Sequence, residues 1–154
     1  MYLRIKNFST NRCPFNSFFI SKKKRRKSCI RIIRYTFNRR NYLRITDDFT
    51  IGYADVAGFR LGTCHAVKWI NPKTKELTSL TLHPLTMMDS SLSDKRYMNL
   101  NAHEAYEYSI RLINMVESWN GELVLLWHNT SVEDTPRSYH RKLYLDIINY
   151  LKDK

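Results

Sequence analysis

The sequence predicts an α/β fold, because strand-like and helix-like segments alternate along residues 77–154. Residues 122–129 hold an apolar run that ends at a histidine and is typical of a strand buried on both faces. A strongly amphipathic helix precedes this run, and a second helix is predicted from about Ser138. An earlier strand is predicted at residues 77–82, where Leu alternates with Thr or Ser. This order favours a parallel sheet or barrel.

The helix before the buried strand has clear end signals. Asn101 is a suitable N-cap, and Glu104 three residues later completes a capping box. Gly121 is predicted to end the helix in a left-handed conformation. Spacings of three and four residues predict one apolar face, formed by Ala105, Tyr108, Leu112, Met115, Val116 and Trp119. The second helix has a similar stripe, formed by Leu143, Ile147, Ile148 and Leu151.

His128 is the first candidate for chemistry. It follows the buried strand directly, and α/β proteins gather their functional groups at the carboxyl ends of strands. An imidazole at that position is suited to acid–base catalysis. A purely structural histidine, bonded to a loop carbonyl, is an equally open interpretation.

The charge of the chain divides it into two unlike parts. Residues 1–44 contain fourteen Lys or Arg and no Asp, Glu or His, whereas residues 45–154 contain twelve Lys or Arg and fourteen Asp or Glu. The net charges of +14 and −2 together give the +12 of the whole chain. We therefore expect a basic, poorly ordered segment at 1–44, outside a domain at 45–154.

The basic segment leaves three interpretations open. Its run of six Lys and Arg at residues 22–27, with aromatic residues nearby, could grip nucleic-acid phosphates or an anionic surface. No recognisable nucleic-acid module accompanies the segment. Its composition, rich in Lys, Asn, Ile and Phe, fits an unselected translation of AT-rich DNA better than it fits a nucleic-acid-binding arm. Nucleic acid is therefore not the expected partner. Strongly salt-dependent DNA binding would favour the phosphate-binding interpretation.

The sequence lacks the signals of several other classes of protein. The three cysteines at 13, 29 and 64 form neither an even disulfide framework nor a CxxC pair. The histidines at 65, 83, 103, 128 and 140 form no metal motif at helical spacing. No apolar stretch predicts a membrane span or a signal peptide, which leaves the localisation open with cytoplasmic as the default expectation.

Separated motifs from residue 41 onward resemble one known family. They are Thr-Asp-Asp-Phe-Thr-Ile-Gly-Tyr-Ala-Asp at 46–55, Gly-Phe-Arg-Leu-Gly-Thr-Cys at 58–64, His83-Pro84, Met88-Asp89, and Leu-Leu-Trp-His-Asn at 125–129. In this order they are similar to a bacterial branch of the NodB-like polysaccharide deacetylases, which hydrolyse acetyl groups on carbohydrates. The resemblance implies the carboxyl-terminal part of the family's β/α barrel.

The resemblance also implies roles for individual residues. Arg60 takes the position of the arginine that orients the catalytic base, and His128 that of the general acid. Asp89 is a candidate to orient His128, with a solvated loop carboxylate as the equal alternative. Leu126 and Trp127 fall where the family lines its acetyl pocket, although Trp127 replaces the usual leucine. Arg60 and His128 are then expected at one mouth of a single parallel sheet.

The family binds a divalent metal, usually zinc, through an Asp and two His upstream of these motifs. Here that region contains no Asp, Glu or His, and the Asp47-Asp48 pair stands in the wrong order to replace them. We therefore expect no metal site and no cofactor in this chain, and a truncated and inactive domain. A separate partner that carries the missing half is an open interpretation. A non-catalytic carbohydrate-binding remnant, with Trp69, Trp127 and Tyr139 stacking on sugars, is a further alternative.

Overall fold

The computed structural model describes residues 2–5, 37, 45–133 and 139–154 of the 154-residue chain. The strands are β1 (Tyr2–Ile5), β2 (Asp47–Ile51), β3 (Val67–Ile70), β4 (Leu77–Pro84), β5 (Met87–Met88) and β6 (Leu123–Leu126). The helices are α1 (Asp89–Ser93), α2 (Ala102–Ser118) and α3 (His140–Lys152), and a 3-10 turn spans Asn129–Ser131. The two strands and two long helices predicted from the sequence are confirmed.

The strands form two three-stranded mixed sheets. One has the order β2-β4-β3, with β2 parallel and β3 antiparallel to β4. The other has the order β1-β6-β5, with β5 parallel and β1 antiparallel to β6. Among the described residues no barrel closes, so the partial deacetylase-type barrel stays a prediction. The expectation that the strands before Arg60 and His128 share one sheet is wrong, because β2 and β6 belong to different sheets.

The two sheets meet at the two residues between β4 and β5. The backbone N–H of Leu85 donates to Ile51 at the end of β2 (3.1 Å), and that of Thr86 donates to Val124 in β6 (2.9 Å). Because β2 runs parallel to β4 and β6 runs parallel to β5, the residues after β2, β5 and β6 leave on one side of this segment. The sheet pairing thus places the loop after β2, helix α1 and the residues after β6 near each other.

Part of the basic segment belongs to the fold. Residues 2–5 pair antiparallel with β6, from Tyr2 opposite Leu126 to Ile5 opposite Leu123. Phe37 is buried and packs on Trp69 with ring centroids 5.0 Å apart. The expectation that residues 1–44 lie outside the domain therefore does not hold for these five residues. The expected disorder of the rest of the segment lies outside the described residues.

Helix α2 follows the predicted capping but buries a slightly different face. Both hydrogen bonds of the capping box between Asn101 and Glu104 are present. The buried positions are Ala105, Ser109, Leu112, Ile113 and Val116. Trp119 was predicted to be buried, but it is 50% exposed because it lies beyond Ser118, where the chain has already left the helical path. The buried stripe thus shares Ala105, Leu112 and Val116 with the predicted one and adds Ser109 and Ile113.

The end of α2 depends on two residues with different tasks. Asn120 adopts the left-handed conformation (φ 48°), which corrects the prediction that Gly121 does so. Gly121 is required by close packing instead, since a Cβ there would overlap the side chain of Cys64. The N–H of Gly121 closes the helix on the carbonyl of Val116 at 2.8 Å. The chain then continues into β6, which begins at Leu123.

Helix α3 packs against α2 and completes the larger core. It buries Leu143 and Ile147, while Ile148 and Leu151 of the predicted stripe are only half-buried. Its predicted start near Ser138 falls outside the described residues, which resume at Tyr139. No helix among the described residues has the length and apolarity needed to cross a membrane.

Candidate functional site

Asp89 is the centre of the candidate site. It is the first residue of α1, directly after β5, and its side chain is fully buried. The carboxylate accepts hydrogen bonds from the backbone N–H of Ser90 (2.7 Å) and of His128 (2.9 Å), and from Nδ1 of His128 (2.6 Å). The alternative of a solvated loop carboxylate is therefore wrong. A buried charge of this kind is tolerated only when donors surround it.

The donors around Asp89 decide its protonation state. Burial alone would raise the pKa of Asp89, but hydrogen bonds from the Ser131 side chain, from His128 and from the Ser90 backbone outweigh it. Together they hold the pKa of this carboxyl below its usual value. Asp89 is therefore an anion at neutral pH, buried beneath an imidazole.

His128 joins this buried anion to the surface. It follows β6, and its side chain is 50% exposed. Because the ionised Asp89 can only accept hydrogen bonds, the network places a proton on Nδ1 of His128. The partner of Nδ1 is thus this carboxylate and not a loop carbonyl. In the neutral ring, Nε2 is then the nitrogen that carries no proton. An imidazole that a carboxylate holds in one tautomer is suited to proton transfer.

Sequence reasoning missed three residues at the site. Ser131, in the 3-10 turn after His128, bonds the Asp89 carboxylate. His140 bonds Ser93 at the end of α1, with Nε2 2.7 Å from the hydroxyl oxygen. No local pattern marks these residues, because their partners lie about 40 residues away along the chain.

Leu126 and Trp127, the proposed acetyl-pocket residues, differ in exposure. Trp127 is 1% exposed, packs on Tyr144 at a centroid distance of 5.7 Å and donates its indole N–H to the carbonyl of His140 (3.3 Å). Its ring therefore offers no face for stacking on a sugar, contrary to that alternative. Leu126 is half-buried at the last position of β6. The substrate-binding role of both residues stays a prediction.

Arg60 lies in the loop that follows β2. Its guanidinium donates to the carbonyl of Gly52 (2.8 Å) and lies 5.8 Å from the ring centroid of Tyr53. The same loop is attached to the strand segment before Asp89 by the bond from Gly58 N–H to Thr86 (2.7 Å). The Ser91 hydroxyl of α1 also donates to Ala54 (2.8 Å). The loop thus packs beside the Asp89 helix, while the orienting role of Arg60 stays a prediction.

A buried histidine, His83, joins the two sheets. His83, near the end of β4, contacts Glu122 through Nδ1 (2.5 Å) and Asp47 through Nε2 (2.9 Å), and Phe49 stacks on the ring at 4.3 Å. Each ring nitrogen of His83 thus contacts a carboxylate, so we interpret these three residues as a hydrogen-bond network. Within residues 45–133 and 139–154, no group of three His, Cys, Asp or Glu is arranged to hold a metal ion.

Comparisons with models of protein families, with curated proteins and with solved structures found no match to this chain.

Proposed function

We propose that residues 45–154 belong to a polysaccharide deacetylase-type domain in which His128 is the general acid for removal of an acetyl group from a carbohydrate. The observation that carries the proposal is the buried Asp89 carboxylate bound to the half-exposed His128 at the ends of the adjacent parallel strands β5 and β6. A carboxylate that holds an imidazole in one tautomer is suited to proton transfer near neutral pH. The motif resemblance supplies the substrate class.

The proposed step concerns the leaving group. After water adds to the acetyl carbonyl, the bond to the sugar nitrogen or oxygen breaks as that atom takes a proton. The protonated His128 ring donates this proton from Nε2 and becomes neutral, with Nδ1–H still bonded to Asp89. Asp89 remains ionised throughout, so its charge stabilises the imidazolium that must form before the step. Arg60 has the proposed task of orienting a carboxylate base.

The half of the site that activates water is not accounted for by this chain. The resemblance implies a divalent metal held by an Asp and two His, and the described residues do not fit that set. Residues 1–44 contain none of these residue types. We therefore propose that the chain alone does not hydrolyse acetyl groups, and that activity requires a polypeptide that carries the metal-binding half.

A reconstituted domain tests the function of His128. We expect that the metal-binding half of a complete polysaccharide deacetylase, joined to the full chain so that β1 and Phe37 are kept, removes acetyl groups from an N-acetylglucosamine oligomer. His128→Ala should then lower kcat by about 10²–10⁴-fold, the usual contribution of a positioned general acid. Acetate release measures both rates.

His103→Ala is the matched control, because this exposed histidine of α2 pairs only with the exposed Glu107 among the described residues, at 3.9 Å. It should leave acetate release unchanged. A reconstituted domain that works equally well without His128 would contradict the proposal, as would a purified single chain that itself releases acetate.

A further inference from the structure

A closed set of hydrogen bonds surrounds the Asp89–His128 pair and includes a third histidine. Nε2 of His140, the first residue of α3, lies 2.7 Å from the hydroxyl oxygen of Ser93. That hydroxyl lies 3.4 Å from the backbone carbonyl of Asp89, at the other end of α1. His140 thus reaches the backbone of Asp89 from a helix that is distant in sequence.

The same histidine is attached to the strand that carries His128. The indole N–H of Trp127 donates to the backbone carbonyl of His140 at 3.3 Å. Trp127 directly precedes His128, whose own N–H and ring both bond the Asp89 carboxylate. The connections therefore run from β6 through α3 and α1 and return to β6. Every link lies between described residues.

Helix α1 needs such support because of its length. It has five residues, and no side chain caps its N-terminus. A single turn of helix is unstable unless tertiary contacts hold it. Leu92 is buried in the core and Ser91 bonds Ala54, while His140 holds the last residue, Ser93. Since Asp89 is the first residue of this turn, the position of its carboxylate relative to His128 depends on the orientation of α1.

The chemistry of His140 suits a fixed, uncharged support. Burial lowers the pKa of His140, against the opposing influence of Asp89, and the ring also makes a hydrogen bond to the Asp89 backbone. A neutral ring at this position bonds its neighbours without competing with His128 for the Asp89 charge. Tyr139 packs against the ring at a centroid distance of 5.0 Å, which restricts its orientation.

We propose that His140 is a positioning residue that, through Ser93, holds α1 so that the Asp89 carboxylate fixes His128 in the Nδ1–H tautomer. Its catalytic meaning rests on the function proposed above, but the positioning itself is a property of this chain. The inference adds α3 to the elements that build the site.

Nitrogen NMR of the full chain, labelled in its histidine rings, tests the positioning directly. Spectra are recorded at about pH 8, where an unperturbed neutral imidazole predominates. In the wild type, Nδ1 of His128 should give a protonated-nitrogen shift and Nε2 an unprotonated one. His140→Phe keeps a ring of similar shape but removes both nitrogens, and should move the His128 signals toward a mixture of tautomers. His140→Gln places an amide where Nε2 stood and should retain the wild-type pattern.

Ser93→Ala is a milder change that removes only the hydroxyl link, and it should shift the His128 signals in the same direction as His140→Phe. His103→Phe, on the exposed face of α2, should leave them unchanged. An unaltered His128 tautomer in Ser93→Ala, or in folded His140→Phe, would overturn the proposal. The readout needs no sugar and no turnover, so an inactive reconstituted domain would count against the proposed function and leave the positioning role intact.

Discussion

Burying an ionised aspartate costs free energy, because the carboxylate loses its hydration. The contacts of Asp89 show how this chain compensates for that cost. Its two oxygens accept bonds from two backbone N–H groups and from the His128 ring, so little of the lost hydration is left unreplaced. The short Asp side chain suits this task, because its carboxylate must remain close to the backbone of α1. Glutamate would place the charge one methylene further from that backbone.

We expect Asp89→Asn to destabilise the fold by about 2–4 kcal/mol at neutral pH, because an amide cannot accept all of these bonds. The folded-state pKa of Asp89 lies below its unfolded value of about 3.9. The stabilisation by the charge is therefore fully present above that value and is lost as the pH falls through the lower folded-state pKa. Urea unfolding of both proteins between pH 3 and pH 8 measures the difference.

The exposed Asp153, just beyond α3, supplies the control, and Asp153→Asn should have little effect at any pH. If the gap between Asp89→Asn and the wild type stayed constant from pH 8 down to pH 3, the buried charge would not be the source of the stabilisation.

At the scale of the residue, Trp127 combines core packing with a hydrogen bond. A leucine at this position could fill the core, but it could not donate a hydrogen bond to the carbonyl of His140. The indole thus joins the end of β6 to the start of α3 and remains fully buried while doing so. A polar contact of this kind is the usual condition for burying a tryptophan.

At the scale of the element, β6 depends on a strand from the far end of the chain. It is the central strand of its sheet, with β5 on one side and β1 on the other. Without β1, the backbone groups of an entirely apolar strand would face solvent, and such an edge promotes pairing between molecules. The four residues of β1 thus protect the strand that leads to His128.

Deletion of residues 1–5 should make the protein less stable and prone to self-association, because the edge of β6 becomes unpaired. Light scattering after size-exclusion chromatography detects the association, and hydrogen exchange of the β6 amides reports the lost protection. Arg4→Gln removes a charge but keeps the backbone pairing, and should behave as the wild type. A monomeric deletion variant with fully protected β6 amides would show that β1 is dispensable.

At the scale of the whole molecule, the contact between the two sheets includes a buried ionisable pair. His83 belongs to β4, whereas Glu122 lies in the segment that leads into β6, and their side chains are almost entirely buried. Removing either member takes away a buried contact between the two sheets, while His83 keeps its hydrogen bond to Asp47. The pair therefore makes the relative position of the sheets depend on both residues together.

We expect His83→Leu and Glu122→Met each to lower the free energy of unfolding by about 3 kcal/mol or more, with the double variant losing about 1–3 kcal/mol less than the sum. Urea unfolding of the four proteins gives the coupling energy. The exposed pair His103 and Glu107, changed to Leu and Met in the same way, should show almost no coupling. An equal coupling energy in the two pairs would mean that burial does not strengthen the interaction between His83 and Glu122.

The local features of this protein were determined by the sequence itself. The capping box at Asn101, the stripe from Ala105 to Val116 and the apolar run of β6 depend on neighbours within a few residues. Periodicity and end signals of this range can be recognised without a structure. The same reasoning placed His128 at the end of a strand.

Tertiary structure alone decided which groups meet there. Asp89 and His128 are 39 residues apart, and β1 pairs with a strand more than a hundred residues away. The local pattern was equally consistent with a buried and with a solvated Asp89. It favoured an N-terminal segment that lies wholly outside the domain. Even Gly121 owes its place to Cys64, a distant neighbour in sequence. Contacts of this range follow from the packing of the whole chain, in which burial and hydrogen bonding must be satisfied together.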